Sequence, residues 1–215
     1  MRYTKGNDKR HRVQIACNGE KQTFEIDADG DAEPITLCYG SGSYTLSVLE
    51  NIVDNSYRIV GKTSFSVQLS DENLGFLPRS VPILYDNTME SVQKGWEEAS
   101  VSQQDDEKAE ADFDYVASTI GYDFSLIGQY QSGYRSDPET TYRNKRGICI
   151  DHSVLLASML RSMGIPCKVV EGTADGIEGY HAWNSVYLNG EWVLMDASAA
   201  AQGGKGANYI PYKAY

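Results

Sequence analysis

The segment from residue 148 to residue 163 limits the possible folds most, because its apolar side chains recur at the spacing of a buried helix. The residues that form this apolar face are Leu155, Leu156, Met159, Leu160 and Met163. Gly164 suits the left-handed position that ends a helix, and Pro166 prevents the helix from continuing. Three strands are expected to follow, at 168–170, 182–188 and 192–195, with Asn189-Gly190 as the hairpin turn. The order helix, strand, hairpin predicts an α+β domain with an antiparallel sheet packed on this helix.

A different pattern fills the first third of the chain, where short apolar–polar alternations are separated by Gly, Asn and Asp. The expected strands are 13–17, 23–27, 35–39, 44–49, 57–60 and 65–69. Short alternating strands of this kind predict a small antiparallel sandwich. A connector with Pro78 and Pro82 follows. We therefore expect two domains, a β-sandwich-like domain with its connector at 1–85 and the α+β domain at 86–215.

Two further helices are expected at the start of the second domain, at 88–102 and 107–119, where the apolar period changes from two to that of a helix. Residues 121–147 are rich in Gly, Ser and Tyr, which predicts a long loop. Long loops inside compact domains are often functional.

Composition restricts the expected partners. The 215 residues include 19 Lys and Arg against 30 Asp and Glu, a net charge of −11. Nucleic acids and anionic membranes attract proteins of the opposite sign, so neither is expected as a partner. No apolar run approaches the ~20 residues of a membrane span, and no signal peptide is expected in the basic, polar start of the chain. Cys17 and Cys38 are as compatible with a disulfide as with two buried thiols.

Three residues that are distant in the sequence can share one site. Cys149 begins the helix, where free N–H groups and the helix dipole stabilise a thiolate. His181 opens the strand before the hairpin turn and Asp196 ends the strand after it. The open end of the hairpin therefore brings them together, given a bulge or a slight offset in pairing. A cysteine at a helix start can also be a small core residue, but with His and Asp beside it the pattern indicates Cys-His-Asp catalysis.

The spacing of four segments resembles the core of the transglutaminase-like superfamily. They are Arg146–His152, Leu160–Pro166, His181–Asn184 and Trp192–Asp196. The resemblance covers about residues 107–200 and implies a papain-like fold in a catalytic domain. It implies Cys149 as nucleophile, His181 as base and Asp196 as the acid that orients the imidazole. The superfamily includes transglutaminases, peptide:N-glycanases and many bacterial proteins taken to be cysteine proteases.

The donor to the oxyanion is not determined by the resemblance. Transglutaminases use a Trp upstream of the nucleophile, but no Trp lies between Trp96 and Cys149. Tyr122 is the candidate replacement because its hydroxyl can donate a hydrogen bond, and plain packing is its alternative role. Gln129 and Gln131 are further candidate donors.

Two more residues are candidates for the pocket. His152 follows Cys149 by three positions, so it either lines the pocket and tunes the thiolate, or packs and caps the helix. Trp183 follows the predicted base by two positions. The resemblance implies that it shields the His–Asp pair, whereas its pattern alone fits hairpin core.

No metal or cofactor is expected. Asp27–Asp31 resembles the first half of a calcium loop, but Ala32 stands where Gly is needed and Cys38 where Glu is needed. We expect a polar turn between strands there. The sequence contains no CxxC pair, HExxH motif or phosphate loop.

These residues favour a thiol hydrolase or acyltransferase that acts on peptide or glutamine carboxamide bonds through a thioester. Water as acceptor gives hydrolysis or deamidation and an amine gives a crosslink; an open, wet site favours water. The alternative is an inactive transglutaminase-like binding module on a cell surface. We expect a protein or peptide substrate, a cell-surface partner for the β domain, and an extracellular or cell-surface location, as in similar exported bacterial proteins.

Overall fold

The computed structural model describes five parts of the chain, residues 2–4, 9–26, 29–127, 134–204 and 206–215. The chain divides into two compact units, Met1–Gly75 and Phe76–Tyr215. The sequence-based boundary after residue 85 lies later in the chain than this observed boundary, at the C-terminal end of the predicted connector.

An antiparallel sheet of four strands forms the first unit. Its members are β2 (His11–Cys17), β3 (Glu20–Ile26), β5 (Gly42–Val53) and β6 (Ser56–Val67), in the order β3-β2-β5-β6, and a separate ribbon pairs β1 (Arg2–Thr4) with β4 (Asp29–Ala32). Asn18 and Gly19 have φ of 52° and 88°, the left-handed pair that a two-residue hairpin turn requires. The antiparallel strands predicted for this region are confirmed.

The predicted sandwich is replaced by this single sheet with its ribbon, because four of the observed strands form one sheet and the other two pair only with each other. The segments 57–60 and 65–69 were predicted as two strands, but residues 56–67 form the single strand β6. The pairing shifts between Val48↔Gly61 and Leu49↔Ile59, so Val60 is the extra residue of a bulge. Residues 35–39 form no strand.

The acidic segment Asp27–Asp31 is only partly described. Asp27 and Ala28 lie outside the described residues, and Asp29–Ala32 belong to β4. The expected polar turn is therefore wrong for 29–31, which pair with β1. Cys17 and Cys38 are free thiols in this unit, and the Cys38 thiol donates to Gln22 Oε1 over 3.4 Å.

Helices and a second antiparallel sheet make up the second unit. The helices are α1 (Glu90–Glu98), α2 (Asp105–Thr119), α3 (Phe124–Ile127), α4 (Pro138–Asn144), α5 (Cys149–Ser162) and α6 (Ala197–Ala201). The strands are β7 (Gly121–Tyr122), β8 (Arg146–Gly147), β9 (Cys167–Asp175), β10 (Ile177–Leu188), β11 (Glu191–Met195) and β12 (Ala207–Ala214). The large sheet has the order β11-β10-β9-β12, and β7 pairs with β8 in parallel. The predicted α+β architecture is confirmed.

Helix α5 is the centre of this unit and is almost wholly buried. Leu155, Leu156, Met159 and Leu160 are each 0% exposed, as the apolar spacing predicts. The helix ends where the sequence indicates, since Gly164 has φ 84° and Ile165 N–H donates to Leu160 O over 3.1 Å. The strands β9 and β10 and the helices α1, α2, α4 and α6 all pack around it.

A buried arginine near the end of α5 ties the last turn to the rest of the unit. Arg161 Nε donates to Cys167 O over 2.7 Å, Nη2 to Tyr215 O over 2.7 Å, and Nη1 to Pro78 O over 2.8 Å. These carbonyl acceptors replace the water that the guanidinium loses on burial.

The segment predicted as a long loop, 121–147, contains short elements where it is described. β7 and β8 hold its two ends together, with Gly121 opposite Arg146 and Tyr122 opposite Gly147. Asp137 begins α4 by accepting a hydrogen bond from Thr140 N–H over 2.6 Å. The prediction missed these pieces because elements of two to seven residues are too short to show a clear period.

No helix within the described residues has the length and apolar character needed to cross a bilayer.

Candidate active site

Cys149 is the first residue of α5, and the chain is led to it by β8. The carboxylate of Asp151 accepts a hydrogen bond from Ile148 N–H over 2.9 Å, which fixes the start of the helix. A Cβ at Gly147 would lie 2.5 Å from Asp151 Cβ, so a glycine is required where the carboxylate folds back. The half-buried thiol lies at the positive end of a 14-residue helix.

His181 and Asp196 meet at the open end of the β10–β11 hairpin, where His181 Nε2 lies 2.7 Å from Asp196 Oδ2. The pairing is regular from Leu188↔Glu191 to Asn184↔Met195. One residue further on, Asp196 falls opposite Trp183 and diagonal to His181. No bulge in this pair of strands is needed, because diagonal neighbours on one face of a sheet are within reach of long side chains.

Asp196 is held by four donors although it is buried. Oδ2 accepts from His181 and from the Tyr209 hydroxyl at 2.8 Å, while Oδ1 accepts from Ser198 Oγ at 3.0 Å and Ala199 N–H at 2.9 Å. Burial raises the pKa of Asp196, but these hydrogen bonds and the charge of His181 outweigh it, so the pKa lies below its ordinary value. The group is therefore a carboxylate at neutral pH.

The same contacts act in the opposite direction on His181. Burial lowers the pKa of the ring, but the hydrogen bonds and negative charges of Asp196 and Cys149 outweigh this and raise the pKa to about 9. With Nε2 turned to Asp196, Nδ1 is the nitrogen available to the thiol. These contacts thus favour the imidazolium, the form that His181 takes once it has accepted the thiol proton.

Tyr122 reaches Cys149 through the parallel pairing of β7 and β8, which sets it opposite Gly147. Burial, followed by the charge of Cys149 and a hydrogen bond with it, raises the pKa of Tyr122 to about 12. The phenol accordingly keeps its proton through the neutral range and can donate. Gln129 and Gln131, the other candidate donors, lie outside the described residues.

His152 lies behind the site rather than in it. Its ring is 0% exposed, with Nδ1 3.0 Å from Ile148 O and Nε2 2.9 Å from Ile120 O. The Tyr122 ring stacks on it with centroids 6.1 Å apart. His152 thus connects the residue before the nucleophile to the segment that carries Tyr122. The pocket-lining alternative does not fit this position, and the packing alternative does.

Trp183 lies against the His–Asp pair. Its ring stacks on His181 with centroids 6.1 Å apart and meets the Tyr209 ring edge-on at 4.9 Å. It is 4% exposed, so its bulk keeps water from one side of the pair. Trp192 lies elsewhere, in contact with Phe76 and Tyr187.

Tyr209 and Ser198 are site residues that sequence reasoning missed. Tyr209 comes from β12, which pairs with β9 at the edge of the sheet, and nothing local marks it as a partner of Asp196. The sequence did contain a signal for Ser198, because an Asp followed by a run of small residues is typical of a helix start.

Two cavities flank the thiol and the imidazole. One, of about 240 Å³, is lined by Cys149, His181, Tyr122 and Ile150 among others. The second, of about 640 Å³, shares Tyr122 and His181 and extends past Phe124 and Ala199. The described residues hold no group of three or more His, Cys, Asp or Glu arranged for a metal ion.

Comparison with known proteins supports a family assignment. Residues 95–197 match the sequence profile of the transglutaminase-like superfamily. The human kyphoscoliosis peptidase is 30% identical over 103 residues, which are 43% of this chain and 15% of that protein. The mouse kyphoscoliosis peptidase is 29% identical over 108 residues, 45% of this chain and 16% of that protein. The chain thus spans about one-sixth of the length of these curated relatives.

Two solved structures are also similar. A TGase crystal structure has 24% identity and a TM-score of 0.42, covering 50% of this chain and 31% of that one. A protein of Cytophaga hutchinsonii assigned as a cysteine protease has 15% identity and a TM-score of 0.49, covering 99% of this chain and 81% of that one.

Proposed function

Because residues 95–197 belong to the transglutaminase-like superfamily, we propose that the protein is a thiol enzyme that cleaves peptide or glutamine carboxamide bonds. One observation carries the proposal: a cysteine at a helix start shares a cavity with a histidine whose other ring nitrogen lies 2.7 Å from a buried carboxylate. Nucleophile, base and orienting group are the three parts that covalent thiol catalysis requires.

In the first half-reaction, His181 Nδ1 takes the proton of Cys149 Sγ and the thiolate attacks the substrate carbonyl carbon. The carbonyl π electrons move to oxygen, and the Tyr122 hydroxyl and the Cys149 N–H donate to that oxyanion. When the intermediate collapses, the C–N bond breaks and the imidazolium gives its proton to the leaving amine or ammonia. A thioester on Cys149 remains.

In the second half-reaction, water occupies the space that the leaving group vacates. His181 takes one proton from it, the hydroxyl oxygen bonds to the thioester carbon, and the C–S bond breaks. The imidazolium then returns its proton to the sulfur, so the products are an acid and the free thiol. Asp196 keeps the imidazole oriented and stabilises its charged form in both halves.

Water is the acceptor that we favour over an amine. The cavities of about 240 and 640 Å³ beside Cys149 and His181 leave space for solvent at the thioester. The name of the matched human protein, a peptidase, is consistent with hydrolysis.

For the N-terminal sheet we propose a role in holding a protein substrate or a cell-surface partner, with the protein acting outside the cytoplasm. Fractionation of the source cells with an antibody tests the location, and recovery in the cytoplasm alone would rule it out.

The variant Cys149→Ala tests the enzymatic function. Cleavage of casein, ammonia release from it and incorporation of an amine probe are measured together, with Cys38→Ala as the matched control because it removes a half-buried thiol from the other unit. We expect Cys149→Ala to abolish product formation, at least about 10⁴-fold, while the control keeps it. Undiminished activity in Cys149→Ala would refute the proposal. A wild-type Cys149 that alkylates no faster than free cysteine at neutral pH would favour the inactive binding module.

A further inference from the structure

Apart from Cys149, His181 and Gln202, the side chains that line the two cavities are apolar or aromatic except for a pair of carboxylates. Glu171 and Glu178 are the acidic residues that line the cavity at Cys149, and Glu178 also lines the cavity on the other side of His181. The described lining residues of both cavities include no lysine or arginine. These two side chains are therefore the carboxylates that set the charge of the described cavity walls.

One of the two carboxylates is neutralised by the protein itself. Glu171 is 5% exposed, and its Oε1 lies 2.9 Å from Lys213 Nζ. Glu178 is exposed and forms no ion pair or hydrogen bond with a described residue. No described residue compensates the charge of this side chain at the shared wall of the cavities.

The backbone conformation around Glu178 places this residue at the shared wall of the two cavities. The pairing of β10 with β9 shifts between Ile177↔Ala174 and His181↔Gly172, because β10 advances four residues where β9 advances two. Residues 178–180 therefore form a bulge. Gly176 and Gly179 have φ of 84° and 83°, which glycine tolerates without strain. Bulges next to active sites commonly redirect a side chain, and here the redirected residue is three positions before the predicted base.

We propose that Glu178 selects protein substrates with a lysine or arginine side chain beside the bond to be cleaved. The inference rests on the proposed function for its substrate class. The basic side chain would lay its methylene stem on the apolar wall formed by Tyr122 and Ile127 and place its charge at Glu178. Tyr180, 49% exposed, lines the same cavity and adds to its aromatic wall.

The first test reads the local charge without any substrate. Methanethiosulfonate reagents of similar size, one cationic (trimethylammonioethyl) and one anionic (sulfonatoethyl), form a mixed disulfide with Cys149 as sulfinate leaves. The rate of each is followed by the mass of the Cys149 peptide. We expect the wild type to prefer the cation and Glu178→Gln to lower the cation-to-anion rate ratio by about fivefold, as expected for unit charges several ångströms apart in a wet site. Glu178→Lys should lower it by roughly the square of that factor, and high salt should reduce the preference.

Two control variants isolate the effect of position 178. Glu191→Gln removes an exposed carboxylate that does not line these cavities and should leave the ratio unchanged. Lys205 lies outside the described part of the chain, and Lys205→Ala tests whether it neutralises Glu178. If this variant raised the cation-to-anion rate ratio by a larger factor than the wild-type ratio itself, Lys205 would be the partner of Glu178. That result would overturn the proposal. A ratio that Glu178→Gln does not change would also overturn it.

The second test uses matched peptides with lysine or norleucine next to the cleavable bond. Glu178→Gln should lower kcat/KM for the lysine peptide by about fivefold and leave the norleucine peptide unchanged. Equal losses on both peptides would refute selection of a basic side chain. If Cys149 shows the charge preference but no peptide is cleaved, the proposed function fails while the assignment of the charge to Glu178 stands, so the two failures are distinguishable.

Discussion

Two buried aspartates in the second unit show how differently a fold can treat the same side chain. Asp196, directly after β11 and before α6, is 7% exposed and accepts four hydrogen bonds. Asp112, in the middle of α2, is 0% exposed, and neither of its oxygens has a hydrogen-bond partner among the described residues. Burial opposes ionisation in both places, and only Asp196 has donors that overcome it.

The pKa values of the two groups move in opposite directions. Donors and the charge of His181 bring the pKa of Asp196 below its ordinary value despite burial. Burial, followed by the charge of Glu98, raises the pKa of Asp112 to about 8. Asp112 lies against α1 at a close approach, where a Cβ on Gly95 would be 2.7 Å from Met159 and 3.2 Å from Asp112 Oδ2. The comparison teaches that donors, and not depth, decide whether a buried carboxyl carries charge.

The largest expected effect is on kcat and comes from removing the charge of Asp196. Asp196→Asn should lower kcat by about 10⁴-fold, because the imidazole loses its orientation and the stabilisation of its charged form. The alkaline limb of the activity profile, expected near pH 9 from the raised pKa of His181, should move to lower pH. The exposed Asp114→Asn is the control, and activity within tenfold of wild type for Asp196→Asn would contradict the assigned role.

The charge state of Asp112 should instead affect the free energy of unfolding. Because the pKa of Asp112 rises from 3.8 to about 8 on folding, the native state binds the extra proton between these values. The free energy of unfolding of the wild type should therefore fall as pH rises from about 4 to about 8, by up to about 1.4 kcal/mol per pH unit. Asp112→Asn should remove that slope, as measured by urea unfolding at several pH values.

A control variant tests whether the slope belongs to Asp112. Glu98→Gln removes a neighbouring charge and should leave most of the slope in place, since burial is the larger cause. If Asp112→Asn showed the same pH dependence as the wild type, the contrast between the two aspartates would be lost.

The smallest effect is expected from one of the four donors to Asp196. Tyr209→Phe removes the 2.8 Å hydrogen bond to Oδ2 and should lower the free energy of unfolding by about 1.5 kcal/mol. We expect kcat to fall by about tenfold, and the alkaline limb of the activity profile to move less than in Asp196→Asn. Tyr212→Phe is the matched control, because among the described residues this exposed hydroxyl has a single hydrogen-bond partner, Thr173 Oγ1. Equal effects of the two variants would show that Tyr209 does not hold the acid.

The helix and hairpin were predictable because their signals are local. The apolar period of 148–163, the Gly164 stop and the Asn189-Gly190 turn all lie within the elements that they define. The strand arrangement of the first unit was not predictable in the same way. Two predicted strands are parts of the single strand β6, which contains the bulge at Val60. In addition, apolar–polar alternation does not show which strand pairs with which. The catalytic roles of Cys149, His181 and Asp196 remain predictions that the proposed experiments test.

The sequence by itself determined which residue types were available, where helix α5 lies and where the β10–β11 hairpin turns. Cys149 at a helix start and His181 and Asp196 about a hairpin could be inferred from spacing alone, since each relation spans a single short motif. Only the tertiary structure decided that Tyr209, from the far edge of the sheet, donates to Asp196 and that Lys213 neutralises Glu171. It also decided that Asp112 has no donor among the described residues. These contacts depend on strand order and helix packing, and pairing over such distances leaves no periodic trace in the chain.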